Sequence, residues 1–139
     1  MQSLSIPPTF VTPKILFNPE QQQFEISGNS FLENQQDFYT HVVEWVANNE
    51  GEFPEWTELI FRMDFVCTTS MKSLQLLLTS LKSIVNHGKN LKISWYYNQN
   101  DEDIKETGRQ LSQHTGLSFD IQSMSNMNWS SYSPNDFLH

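Results

Sequence analysis

A strand pattern that runs directly into an amphipathic helix is the feature that most constrains the fold of this chain. Residues 59–66 read LIFRMDFV, an apolar run of strand length, and from residue 71 to residue 85 apolar side chains recur at helical spacing. Only four small residues separate the two patterns: Cys67, Thr68, Thr69 and Ser70. Such a unit is typical of α/β folds, in which helices connect neighbouring strands of one sheet.

Further strand and helix patterns flank this unit. Alternation predicts strands near residues 15–17, 24–27, 91–97 and 117–121, and helical spacing predicts helices that end near residue 49 and cover 101–116. Ser30 and Glu33 form a capping-box pattern that predicts the start of the earlier helix. Gly108 lies inside the later helix, where it would permit close packing.

The order of these elements predicts one α/β domain. Right-handed crossovers would give a mostly parallel, mixed sheet of about five strands packed by three helices. We assign residues 1–123 to this domain and residues 124–139, which are rich in Ser and Asn, to a polar C-terminal tail.

Composition argues against several classes of function. The net charge is −8, and the eight Lys and Arg residues are scattered along the chain, which argues against binding to nucleic acid or to anionic membranes. No apolar run approaches the roughly 20 residues that a membrane-spanning helix needs, so no membrane insertion is expected. The N-terminus lacks the pattern of a secretion signal, which favours a cytoplasmic protein.

Nothing in the sequence identifies a catalytic residue, a metal site or a cofactor. The single cysteine, Cys67, lies where a phosphatase loop would hold its nucleophile, but that chemistry needs an arginine six residues later, where this chain has Ser73. A small enzyme with Cys67 as nucleophile is therefore a less favoured alternative to a buried, inert thiol. The histidines show no metal-binding spacing.

The hydroxyl-bearing turn between the strand and the helix is the strongest candidate site. The first N–H groups of a helix lack partners within the helix, and that end carries a partial positive charge. The turn therefore favours a phosphate group attached covalently to a threonine or serine. One of the three hydroxyl residues is expected to cap the helix. This pattern alone does not choose among Thr68, Thr69 and Ser70 as the modified residue.

Four segments of the chain together resemble the SiaC family of bacterial regulatory phosphoproteins, whose fold resembles that of STAS-type anti-sigma-factor antagonists. The resemblance covers roughly residues 13–121. The segments are Thr12-Pro13; residues 28–34 with Phe38-Tyr39 and Trp45; residues 65–72; and Trp95-Tyr96-Tyr97 with Asp101-Glu102-Asp103, Glu106 and Gly108. Leu32 and His41 stand where the family has proline, Cys67 replaces an asparagine, and Met71 lacks a hydroxyl that the family has.

By position, Thr68 matches the phosphorylated threonine of that family. The resemblance implies a non-enzymatic regulator controlled by a dedicated kinase and a dedicated phosphatase. Its unphosphorylated form would bind and activate a diguanylate cyclase, which makes cyclic di-GMP and thereby controls biofilm formation or aggregation. The alternative is an anti-sigma-factor antagonist that binds an anti-sigma kinase. The residues expected to contact partners are Cys67, Thr68, Thr69, Ser70, Lys72, Ser30, Glu33 and Asn34.

Overall fold

The strands in the described part of the protein form a single six-stranded sheet. The computed structural model describes residues 3–31 and 37–131. The strands are β1 (Leu4–Ile6), β2 (Lys14–Asn18), β3 (Gln23–Ser30), β4 (Trp56–Val66), β5 (Asn90–Asn98) and β6 (Phe119–Met124). They lie in sequence order, with β1 and β6 at the two edges. The first three strands pair antiparallel, whereas β3 to β6 pair parallel.

Three longer helices connect the parallel strands. They are α1 (Phe38–Asn48), α2 (Thr68–Asn86) and α3 (Glu102–Thr115), and a short 3-10 turn (Glu50–Glu52) follows α1. Because successive right-handed crossovers advance in one direction across the sheet, they place all three helices on the same face. No helix in the described parts of the chain is long and apolar enough to span a bilayer.

The core forms between that face of the sheet and the helices. Along β4, the buried side chains alternate with more exposed ones, as a strand covered on one face requires. The fully buried side chains that meet there include Phe17, Ile26, Leu59, Phe61, Met63, Leu74, Leu77, Leu78 and Trp95. α2 supplies the middle of this layer, and its position therefore fixes that of the residues at its start.

Capping and close packing position α3. The Asp101 carboxylate accepts a hydrogen bond from the Ile104 N–H at 3.0 Å, and Gly116 ends the helix in the left-handed conformation (φ 73°). Between these ends, Gly108 faces the buried ring of Trp95, whose indole N–H donates to the Ile104 carbonyl at 2.9 Å. The expected close approach at Gly108 is confirmed, and its partner is Trp95.

The predicted α/β class with a mixed sheet is confirmed, with additions at both ends of the chain. Sequence patterns missed β1, because three residues are too few to show alternation and the strand forms only by pairing with β2. Within the predicted tail lies a fourth helix, α4 (Asn126–Ser131). Its Trp129 is buried, and the indole N–H donates to Asp64 of β4 at 2.9 Å. The predicted domain boundary itself stays a prediction.

Substituting Gly108 with alanine should destabilise the protein. The new Cβ would lie 2.5 Å from Cδ1 of Trp95, a ring that is held in the core. Overpacking of this kind costs about 1–3 kcal/mol, and we expect it to exceed the ~1 kcal/mol that alanine gains in helix propensity. Urea unfolding measures the difference. Gly51→Ala is the matched control, because nothing lies within 4 Å of its added Cβ; equal stabilities of the two variants would contradict the prediction.

Candidate functional site at the start of α2

The hydroxyl residues lie in the first turn of α2, and none of them is its N-cap. Cys67 occupies the N-cap position with an extended backbone (ψ 166°), and its side chain makes no capping hydrogen bond. The predicted cap by Thr68, Thr69 or Ser70 is therefore wrong. The physical reason is that β4 continues to Val66, which pairs with the last residue of β3, so one residue remains between strand and helix. Residues 67–70 are called the α2 turn below.

Ser30 lies at the end of β3 and contacts the α2 turn. The predicted cap by Ser30 is wrong: α1 begins at Phe38 with Asp37 as its N-cap residue. The Ser30 carbonyl instead accepts hydrogen bonds from the Cys67 N–H and from the Ser70 hydroxyl, each at 3.0 Å. Glu33 and Asn34, the other residues expected nearby, lie outside the described residues.

Three buried hydroxyls form a chain that joins β3, α1 and α2. The Ser30 hydroxyl donates to Ser70 Oγ at 2.8 Å, and the Ser70 hydroxyl donates to the Ser30 carbonyl. The Tyr39 hydroxyl lies 3.0 Å from Ser30 Oγ. Since the one hydrogen of Ser30 is directed at Ser70, Tyr39 acts as the donor in this contact. The hydroxyl hydrogens of Tyr39, Ser30 and Ser70 therefore all have acceptors.

The protonation state of Tyr39 fits this direction of donation. Burial raises the pKa of Tyr39 well above its ordinary value; the hydrogen bond with Ser30 opposes that shift, and the neighbouring Cys67 thiol adds to it. The phenol consequently keeps its proton at physiological pH. The protonated Tyr39 hydroxyl donates to Ser30, which in turn donates to Ser70, so Tyr39 is linked to the α2 turn through β3.

Exposure separates the three candidate hydroxyls. Thr68 is exposed, Thr69 is half-buried, and Ser70 is fully buried within the hydroxyl chain. Lys72 is exposed and follows one turn later. An open depression is lined by Thr68, Thr69, Lys72, Ser73 and Leu76. The turn therefore presents one exposed hydroxyl residue, Thr68, with the exposed Lys72 one turn further along α2.

An aromatic pair flanks the same turn, and the sequence patterns did not predict it. Phe31 and Phe65 stack with ring centroids 5.1 Å apart, although each is more than two-fifths exposed. Phe31 follows the last residue of β3 and Phe65 is the second-last residue of β4, so the register of those strands brings them together. The sequence feature that could have indicated this aromatic pair is the apolar Phe65 near the end of a strand.

The environment of Cys67 does not resemble a catalytic centre. The thiol is half-buried, and its Sγ lies 3.3 Å from Ser70 Oγ, a hydroxyl already used in the buried chain. Ser73 occupies the position at which a phosphatase loop needs arginine. Among the residues that the structure describes, no group of three His, Cys, Asp or Glu side chains could hold a metal ion.

Comparison of the sequence with known proteins identifies a matching family and a relative. The sequence profile described as SiaC family regulatory phosphoprotein matches residues 6–124. An uncharacterized protein of Pseudomonas aeruginosa (strain UCBPP-PA14) is 25% identical over 122 residues, which cover 88% of this chain and 97% of that protein.

Solved structures show the same fold. Apo-SiaC from Pseudomonas aeruginosa superposes with a TM-score of 0.75 at 24% identity, covering 88% of this chain and 99% of that one. A second match is the crystal structure of the diguanylate cyclase SiaD in complex with its activator SiaC, also from Pseudomonas aeruginosa. There the TM-score is 0.75 at 24% identity, over 87% of this chain and 99% of the matched chain.

Removing the Ser70 hydroxyl should destabilise the protein. Ser70→Ala deletes the donor to the Ser30 carbonyl and leaves the buried Ser30 hydroxyl without its acceptor. An unsatisfied buried polar group costs about 1–3 kcal/mol, which urea unfolding resolves. Ser73→Ala, one turn later on the same helix, should be nearly neutral. A Ser70→Ala variant as stable as Ser73→Ala would show that the hydroxyl chain does not hold the turn.

Proposed function

This chain belongs to the SiaC family of regulatory phosphoproteins, and we propose that it is a non-enzymatic partner-switching regulator of a diguanylate cyclase. In its unphosphorylated form it binds the cyclase and activates it, which raises cyclic di-GMP and promotes biofilm formation or aggregation. A dedicated kinase phosphorylates Thr68 and ends this interaction, and a dedicated phosphatase restores it. Thr69 and Ser70 are the alternative sites of modification.

The accessibility of Thr68 is the observation that carries the proposal. A kinase must bring the hydroxyl oxygen to its bound nucleotide, which favours the exposed Thr68 over the half-buried Thr69. Ser70 is fully buried, and its hydroxyl already donates to Ser30. Phosphorylation of Ser70 would require the hydroxyl chain to open, whereas phosphorylation of Thr68 leaves every described hydrogen bond of the turn in place.

A phosphate on Thr68 changes the surface without unfolding it. The group adds a charge of about −1.5 to −2, and the start of a helix stabilises negative charge. The buried contacts of Ser70 hold the helix start from the opposite side. The phosphate therefore acts directly on a partner. It repels an acidic group of the partner. An apolar group of the partner could contact the turn only if the phosphate lost its hydration, which is costly.

The cyclase is proposed from the relative in which this partner is seen. SiaC of Pseudomonas aeruginosa forms a complex with the diguanylate cyclase SiaD, and it has the same fold as this chain. Family membership over residues 6–124 supports carrying that partner class over. An anti-sigma kinase would dock on the same turn, so identification of the retained protein decides between the two partners.

Affinity capture from host extract tests the proposal. Wild-type protein and Thr68→Ala should retain a diguanylate cyclase. Thr68→Asp should bind the cyclase more weakly by about tenfold or more, as removal of a central contact typically does. With the purified cyclase, formation of cyclic di-GMP from GTP should follow the same order. Lys105→Asp, a charge change on α3, is the control for added acidity and should behave as wild type.

Three outcomes would contradict the proposal. Equal retention on all columns would mean that Thr68 is not a switch. A cyclase held only by Thr68→Asp would reverse the sign of the switch. Retention of an anti-sigma kinase in place of a cyclase would support the antagonist function instead.

A further inference from the structure

The face of the sheet opposite α1, α2 and α3, called the outer face below, carries an open cavity of about 190 Å³. The cavity lies at the edge of the sheet from which the parallel strands β3 and β4 start. Leu16, Glu25 and Ile60 line it, and the strand register places these three residues in one row across β2, β3 and β4. A cavity of about 150 Å³ can hold benzene, so this one can hold a small organic group.

Three oxygen atoms of the residues that line the cavity lack a hydrogen-bond donor. Gln23 Oε1 is buried and has no partner in the described part of the chain. Among the same residues, the side chains of Glu25 and Glu58 make all their hydrogen bonds and ion pairs through Oε2, which leaves Oε1 of each for a ligand. Gln23 and Glu58 lie one position before the paired residues Phe24 and Leu59, so they are neighbours on adjacent strands. The cavity therefore combines apolar walls with unused acceptors.

The Glu25 carboxylate is held in a fixed orientation. Glu25 is only 3% exposed, the Lys14 ammonium group lies 2.9 Å from its Oε2, and the Ser27 hydroxyl donates to the same oxygen at 2.7 Å. Lys14 compensates the charge of this buried carboxylate. Because the side chain is already ordered, a ligand that binds its Oε1 loses little affinity to the cost of ordering it.

The charges around the cavity favour a cation. Lys14 and Glu25 neutralise each other, but Glu58 has only a distant partner, Lys92, at 4.0 Å. Lys92 also pairs with Asp120 at 3.6 Å, so one lysine faces two carboxylates. All three of these side chains are partly exposed, where such pairs contribute little. Glu58 is therefore able to attract a positively charged ligand.

We propose that this cavity binds an alkylguanidinium group, carried either by a free small molecule or by an arginine side chain of a partner protein. The planar guanidinium presents five N–H donors in fixed directions, which serve Oε1 of Gln23, Glu25 and Glu58. Its alkyl stem contacts Leu16 and Ile60. A guanidinium is more weakly hydrated than an ammonium group, which favours it in a cavity with apolar walls. A magnesium ion fits less well, because it keeps several of its water molecules.

The cavity is separate from the α2 turn. Glu58 and Val66 are eight residues apart on β4, which corresponds to about 26 Å along an extended strand. Between them, Trp129 of α4 covers the outer face at Asp64. A ligand in the cavity therefore leaves Thr68 accessible. The inference does not depend on the proposed function, and either can fail without the other.

A titration of ¹⁵N-labelled protein with N-butylguanidinium, followed by NMR, tests the inference. We expect saturable shifts of the Gln23 side-chain amide and of the backbone amides of Leu16 and Ile60. N-butylurea has a similar shape without the charge, and it should bind at least about tenfold more weakly, because hydrogen bonds to charged groups are the stronger ones. Equal binding of the two compounds would contradict the proposed chemistry.

Three variants locate the site. Glu58→Gln should weaken binding of N-butylguanidinium by about tenfold, because a charged acceptor is lost. Ile60→Phe should abolish binding, because the larger side chain fills the cavity. Glu102→Gln removes the same charge from an exposed position on α3 and should bind as wild type. Thermal unfolding checks that each variant remains folded.

The remaining outcomes distinguish the source of the ligand from failure of the inference. A peptide with one arginine, blocked at both ends, that binds at least as tightly as N-butylguanidinium would assign the cavity to a partner protein. Weaker binding of the peptide would assign it to a free small molecule. Shifts that do not saturate, or equal affinity of wild type and Glu58→Gln, would show only general attraction to an acidic surface and overturn the inference. Saturation of the same residues by magnesium alone would show a metal site instead.

Discussion

The carbonyl oxygen of Ser30 accepts two hydrogen bonds, from the Cys67 N–H and from the Ser70 hydroxyl, and the arrangement of the candidate site depends on this contact. It joins the end of β3 to the start of α2. Because Ser70 is directed inward, Thr68 two residues earlier lies on the outer side of the same helical turn. The buried residue Ser70 fixes the start of α2, and the exposed residue Thr68 can be modified without breaking those contacts.

This division explains how buried structural contacts and the proposed site of phosphorylation both fit within the four residues of the α2 turn. The buried hydroxyls of Ser30, Ser70 and Tyr39 satisfy one another, so they neither need water nor compete for a phosphate. Tyr39 belongs to α1, and it therefore also sets the position of that helix beside α2. The same cluster that holds the α2 turn therefore also connects it, through β3, to the first turn of α1.

Local patterns predicted the central elements well. Helical spacing and acidic residues at the start identified α3, and the glycine in its middle anticipated the contact with Trp95. These features depend on residues near one another in sequence. Ser30 was misassigned because a Ser-x-x-Glu pattern indicates a helix start, whereas its strand conformation depends on pairing with Val66, 36 positions away. The Phe31–Phe65 stack and the contact of Trp129 with Asp64 were missed for the same reason.

The two edge strands bear on how the protein behaves at high concentration. An unpaired strand edge can recruit another chain and start aggregation, and proteins counter this with short or charged edges. Here β1 has three residues, and β6 carries Asp120, whose carboxylate pairs with Lys92 of β5 at 3.6 Å. Neither edge offers a long, flat, uncharged template for another strand. Both edges of the sheet therefore disfavour fibril growth by addition of strands from other copies of the chain.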